Sequence, residues 1–104
     1  MIEKISADKY TMTKNDILID LRESRLFSFG SIEGAVNIPA DDIVKLYSLP
    51  KDKRIVLLCQ SGDFSAEIAQ LLDDNGYKVA DLEGGYRKWL INCMNNNGKS
   101  DLNE

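Results

Sequence analysis

The chain has 104 residues, of which 43% are hydrophobic and 29% are charged, with a net charge of −4, two cysteines and no histidine. This length and composition predict one domain with one hydrophobic core. The lack of histidine excludes Ser-His-Asp and Cys-His catalytic arrangements and histidine-containing zinc sites, and two cysteines are too few for a Cys₄ site. The acidic balance disfavours nucleic acids and anionic membranes as partners.

No segment is apolar enough, over enough residues, for a signal peptide or a bilayer span. We therefore expect a cytoplasmic protein whose cysteines are free thiols. We also expect no metal, no cofactor, no nucleic acid and no membrane partner.

Short apolar runs alternate with helical patterns along the chain. The predicted strands are 2–6, 17–21, 35–38, 54–58 and 77–82, and the predicted helices are 24–29, 41–49, 62–75 and 86–94, with a short helix or turn at 7–15. The strand 2–6 is expected at an edge, and 54–58 at the buried centre. This order predicts an α/β domain over residues 1–94, a mainly parallel sheet with helices on both faces, and a disordered polar tail over 95–104.

Cys59 follows the predicted central strand directly and opens a loop that leads through Ser65 into a helix. At such a place the turn can aim several backbone N–H groups at one point, and the helix N-terminus adds positive potential. Both effects favour the thiolate, which is the nucleophilic form of cysteine. We predict that Cys59 is a catalytic nucleophile, and the alternative is a buried cysteine that only fills space.

Other residues at this edge of the sheet allow more than one role. Asp20 also ends a predicted strand, and we expect it to pair with Arg22 as structural support, with Arg22 secondarily adding positive charge to the pocket. Ser61 or Asp63 could simply cap the following helix. Phe64 either packs inward or forms an apolar pocket wall.

Four segments in order resemble the single-domain rhodanese family over roughly residues 2–91. They are Ile19-Asp20-Leu21-Arg22, Gly34-Ala35-Val36-Asn37-Ile38-Pro39, Cys59-Gln60-Ser61-Gly62, and Gly84-Gly85-Tyr86 with Trp89. The resemblance implies a single rhodanese-like domain and a sulfurtransferase, in which the cysteine holds a sulfane sulfur as a persulfide and passes it to a nucleophile. It also implies a persulfide donor, small or protein-borne, and a thiol acceptor. The substrate-binding residues it implies are Gln60, Ser61, Gly62, Asp63, Phe64, Ser65 and Arg22.

Three departures from the family pattern bear on the donor. Gln60 stands where the family usually has arginine, Phe64 where it has a basic or hydroxyl residue, and Ser31 where it has histidine. The loop then contains no cation and one anion, Asp63. A unit charge at about 4 Å contributes up to about 4 kcal/mol at an effective dielectric of about 20. We therefore predict poor use of thiosulfate, a dianion, and better use of a persulfide.

Two other functions stay open. One, favoured by the missing loop arginines, is a non-catalytic rhodanese-like module that binds a partner or senses thiol state. The other is a phosphatase of the related dual-specificity type, which is disfavoured because Ser65 occupies the position of its phosphate-clamping arginine.

Overall fold

The computed structural model describes residues 2–103, and it describes side-chain surroundings for residues 2–96. Within this range the strands are β1 (Ile2–Ser6), β2 (Asp16–Asp20), β3 (Val36–Asn37), β4 (Arg54–Leu58) and β5 (Lys78–Glu83). The α-helices are α1 (Ser24–Phe29), α2 (Asp63–Asp74) and α3 (Gly85–Asn103), and 3-10 helices cover Ala7–Lys9 and Ala40–Ser48.

The described strands form one parallel sheet in the order β1-β5-β4-β2-β3. Parallel neighbours need crossover connections, and the helices supply them on both faces. One face of β4 packs Ile55 and Leu57 against α2, and the other packs Val56 and Leu58 in a cluster that includes Trp89 of α3. The predicted α/β fold, the central position of β4 and the edge position of β1 are confirmed.

Several predicted boundaries are wrong. The segment predicted as a helix over 41–49 is a 3-10 helix with a break at Asp42, and only Leu46 within it is buried, so little packing favours a regular α-helix. The strand predicted over 35–38 is reduced to Val36–Asn37, just ahead of Pro39, which has no N–H to donate to a neighbouring strand.

The last helix also differs from its prediction. It runs to Asn103 instead of ending at Met94, and no proline follows Met94 to break it. The disorder expected over 95–104 falls mostly on residues 97–104, which lie outside the part of the chain with described side chains, and it stays a prediction.

A charged cluster closes the amino end of the sheet. The Asp16 carboxylate accepts hydrogen bonds from Arg54 Nε and Nη2 at 2.8 Å each, from the Tyr10 hydroxyl at 2.8 Å and from the Thr13 N–H at 3.1 Å. Burial alone raises the pKa of Asp16, but these hydrogen bonds outweigh it, and the pKa falls from 3.8 to about 2. The cluster therefore stabilises the fold only while Asp16 is ionised.

This cluster predicts a specific loss of stability in acid. Because the pKa of Asp16 is lower in the folded chain, its stabilisation is complete above about pH 4 and disappears as the pH falls toward 2. Between about pH 5 and pH 2, we expect Asp16 to account for a loss of about 2 kcal/mol in the free energy of unfolding. Urea unfolding of the wild type and of Asp16→Asn at both pH values measures this difference. Equal pH dependence in the two proteins would contradict it.

Candidate active site

Cys59 follows the last residue of β4, and its side chain is almost fully buried. Its Sγ accepts hydrogen bonds from the backbone N–H groups of Gly62, at 3.1 Å, and Ser65, at 3.3 Å. Gly62 caps the N-terminus of α2 in a left-handed conformation (φ +98°), and Ser65 lies in the first turn. Amide groups at this position have no carbonyl partner within the helix, so they are free to bind an anion. The structure thus brings two amide donors to one sulfur atom.

The carbonyl groups at the start of the loop point toward α3. The Cys59 carbonyl accepts a hydrogen bond from the Tyr86 N–H at 2.8 Å, and the Gln60 carbonyl accepts one from the Arg87 N–H at 3.1 Å. These donors belong to the first turn of α3, where amide groups have no carbonyl partner within the helix. A Cβ atom on Gly85 (φ +63°) would overlap the Cys59 carbonyl oxygen and lie 2.7 Å from that of Gln60. Glycine at this position therefore permits the close contact between the loop and α3.

The other loop side chains face solvent. Gln60, Ser61 and Asp63 are exposed, and the Ser61 hydroxyl donates to the Asp63 carboxylate at 3.3 Å. Neither Ser61 nor Asp63 caps α2, because Gly62 is the N-cap and has no side chain to make a capping hydrogen bond. Phe64 is 36% exposed and does not pack fully inward, and it does not line the cavity beside the loop.

Asp20 and Arg22 form the pair that the sequence suggested. Arg22 Nε and Nη2 donate to the Asp20 carboxylate at 2.8–3.1 Å, and both side chains are buried. The Ser31 hydroxyl donates to the same carboxylate at 2.6 Å. The Arg22 guanidinium also lies 4.0 Å from the centroid of the Tyr86 ring, close enough for a cation–π interaction. The pair therefore ties β2 to α3, and Asp20 neutralises much of the Arg22 charge.

A shallow cavity of about 390 Å³ adjoins the loop between α1 and α3. Its lining brings together two predicted substrate-binding residues, Arg22 and Gln60, among apolar neighbours; the full set is Arg22, Leu26, Phe29, Gly30, Gln60, Tyr86 and Leu90. A larger cavity of about 500 Å³ beyond β2 includes no loop residue. We take the smaller cavity as the candidate substrate pocket because its lining includes Gln60, the chain neighbour of Cys59; Cys59 itself is not part of the lining.

Sequence reasoning missed one buried residue below the loop, Asp81 of β5. Its carboxylate accepts a hydrogen bond from the Ser65 hydroxyl and lies 3.0 Å from Lys4 Nζ. The only sign in the sequence is an aspartate between the apolar residues Val79, Ala80 and Leu82 of this strand. Ser65 is also fully buried. Its amide donates to the Cys59 sulfur, and its hydroxyl donates to Asp81.

Both cysteines are free thiols, and Cys93 is half-buried on α3. Among the described residues, no group of histidine, cysteine, aspartate or glutamate side chains is arranged to hold a metal ion. The helices of the described part of the chain are too short or too polar to cross a bilayer.

A family model for the rhodanese-like domain matches residues 4–92. The chain belongs to the rhodanese-like family. This rhodanese-like chain is 40% identical over 88 residues to the putative sulfurtransferase YtwF of Bacillus subtilis, covering 84% of this chain and 81% of that protein. It is therefore a rhodanese-type sulfurtransferase at the level of the family.

Solved structures agree with this assignment. A rhodanese-like domain protein from Staphylococcus aureus superimposes with a TM-score of 0.73 at 29% identity, covering 84% of this chain and 90% of that one. An NAD-dependent persulfide reductase from A. fulgidus gives a TM-score of 0.67 at 29% identity, covering 85% of this chain and 16% of that one. The rhodanese-like fold thus occurs both alone and within larger enzymes.

Proposed function

We propose that this rhodanese-like chain carries a sulfane sulfur as a persulfide on Cys59 and passes it to a thiol or another nucleophilic acceptor. The amide cradle is the observation that carries the proposal. Gly62 and Ser65 donate to Sγ from the backbone, so negative charge on sulfur is stabilised without a cationic side chain. Substrate contacts then fall to the exposed side chains of the loop and to Arg22 in the adjoining cavity.

The outer sulfur atom is transferred in two steps, first from the donor to Cys59 and then from Cys59 to the acceptor. The Cys59 thiolate attacks the outer sulfur of a persulfide R–S–SH, a new S–S bond forms on Cys59, and the donor leaves as the thiolate RS⁻. An acceptor thiolate then attacks the outer sulfur on Cys59, forms its own persulfide and releases Cys59 as a thiolate. Neither step needs a protein base once Cys59 is ionised, which suits a chain without histidine.

The charges around the loop favour a persulfide over thiosulfate as the donor. The loop contributes Asp63 and no cation, and the Arg22 guanidinium is already paired with Asp20. A dianion approaching Cys59 therefore meets no cationic side chain from the loop itself, and Asp20 already compensates the charge of Arg22. The A. fulgidus structural relative is named for a persulfide substrate, which supports the same donor class.

Incubation with each donor followed by intact-mass measurement tests the proposal. We expect a small-molecule persulfide to add one sulfur atom to the protein, and steady-state transfer to a thiol to be much faster from the persulfide than from thiosulfate. Thiosulfate turnover with a micromolar KM would contradict the donor preference. No sulfur gain from either donor would favour the alternative, a non-catalytic rhodanese-like module, which the loop without a cation makes the second candidate.

A cation at position 60 is expected to restore the use of thiosulfate. The side chain of Gln60 is exposed and lines the cavity beside the loop. We expect Gln60→Arg to lower the KM for thiosulfate about tenfold, which is about 1.4 kcal/mol and below the Coulomb limit because the site is solvated. Gln60→Met is the neutral control, with an unchanged KM. If the arginine variant also keeps its KM, the missing loop cation does not explain donor choice.

A further inference from the structure

Asp81 is a carboxylate placed inside the hydrophobic core. It is 1% exposed, and it lies two residues after Val79 on β5, so both side chains point to the sheet face that packs against α2. Its register partner on β4 is the buried Leu57. An ionised group in such a layer is strongly unfavourable unless it is paired and hydrogen-bonded. The side chains that pair with Asp81 are therefore needed to keep it buried.

Two partners contact the Asp81 carboxylate, one at each oxygen. Lys4, its register neighbour on β1, places Nζ 3.0 Å from Oδ2 and keeps a side chain that is partly open to solvent. The Ser65 hydroxyl donates to Oδ1 at 2.5 Å. Ser65 Oγ also lies 3.1 Å from the Gly62 carbonyl oxygen, but a hydroxyl has one proton and the shorter contact is with Asp81.

Ser65 connects this buried pair to the candidate nucleophile. Its hydroxyl reaches down to Asp81, and its backbone N–H donates upward to Cys59 Sγ at 3.3 Å. Because β5 is an inner strand of the sheet, Asp81 is a fixed anchor. The hydrogen bond from Ser65 therefore ties the first turn of α2 to β5.

We propose that Asp81 is a positioning residue that acts through Ser65, holding the first turn of α2 so that its amide groups stay directed at the Cys59 sulfur. The effect of this positioning on sulfur transfer rests on the proposed function. The contact between Ser65 and Asp81 should also affect the reaction of Cys59 with any electrophile, because the amide donors that it positions stabilise the thiolate.

Ser65→Ala removes the link and changes no charge. We expect the rate of Cys59 alkylation by iodoacetamide at fixed pH to fall roughly tenfold, which is the order expected for a weakened hydrogen bond to a charged group. In persulfide transfer we expect kcat to fall by a similar factor while the donor KM changes less than about twofold, because the exposed loop side chains are untouched. Ser65→Thr, which keeps the hydroxyl, is expected to recover most of both rates.

A matched control separates positioning from simple loss of stability. Tyr10→Phe removes a hydroxyl that donates to another buried aspartate, Asp16, at 2.8 Å and at the opposite end of the sheet. We expect it to lower stability without slowing the alkylation of Cys59. A double-mutant cycle in the Asp81→Ala background tests the coupling. There the acceptor of the Ser65 hydroxyl is absent, so Ser65→Ala is expected to slow alkylation by less than about twofold.

Three outcomes would overturn the inference: an unchanged alkylation rate in Ser65→Ala, equal slowing by Ser65→Ala in both backgrounds, or equal slowing by Tyr10→Phe. The proposed function fails separately. If the wild type is alkylated at Cys59 but takes up no sulfur from any donor, sulfur transfer is disproved while the alkylation rates still decide the role of Asp81.

Discussion

Replacing Cys59 with serine is expected to abolish sulfur uptake and to lower sulfur transfer by at least about a thousandfold. Serine places a hydroxyl under the same two amide donors, but a hydroxyl needs a base to become a nucleophile, and the chain has no histidine to supply one. Intact mass after incubation with a persulfide measures uptake, and transfer to a thiol acceptor measures the rate. Sulfur gain of the same size in Cys59→Ser would contradict the assignment of the nucleophile.

Cys93→Ser is the matched control, since it removes the other thiol of the chain from its half-buried place on α3. We expect this variant to take up one sulfur atom and to transfer it at the rate of the wild type. Loss of transfer with intact uptake would instead show that Cys93 resolves the persulfide.

Gly85→Ala is expected to damage both the fold and the activity. The added methyl group meets the carbonyl oxygens of Cys59 and Gln60, which are backbone atoms and cannot rotate away. The positive φ of Gly85 adds its own cost for any residue with a Cβ atom. Together we expect about 2–4 kcal/mol of lost stability and at least about a tenfold lower kcat for persulfide transfer. Urea unfolding and steady-state transfer below the unfolding transition measure the two effects.

Gly76→Ala separates backbone conformation from the close contact. Gly76 also has a positive φ, +86°, but the nearest atom to an added Cβ is Lys51 Nζ at 3.7 Å, which is ordinary contact. We expect this variant to lose about 1 kcal/mol and to keep its activity. If Gly85→Ala behaves like Gly76→Ala, the contact between α3 and the loop is not needed for transfer.

The sheet was predictable where local pattern and tertiary environment agree. The run from Arg54 to Leu58 is apolar at nearly every position, as a strand covered on both faces must be, and it is the central strand. The predictions failed where the helical pattern of the sequence is not backed by burial of the side chains. The segment after Pro39 has a helical pattern but buries only Leu46, so packing does not impose an α-helix on it.

The candidate site divides in the same way. A cysteine between a buried strand and a glycine turn is a local signal, and the structure places Cys59 and the loop as that signal suggests. Asp81 had no such signal, because its partners Ser65 and Lys4 lie 16 and 77 residues away in the chain. Only the parallel pairing of β1 with β5 and the packing of α2 bring these three side chains together.

The loop separates two properties that many enzymes encode in the same side chains. The donors to the Cys59 sulfur belong to the backbone, so no substitution short of proline removes them from their residues. The side chains of Gln60, Ser61, Asp63 and Phe64 are exposed, and under the proposed function a sulfur donor would meet them first. A library randomised at these four positions can therefore change which sulfur compound the protein accepts while the chemistry at sulfur is inherited unchanged, which makes this short loop a practical starting point for directed evolution.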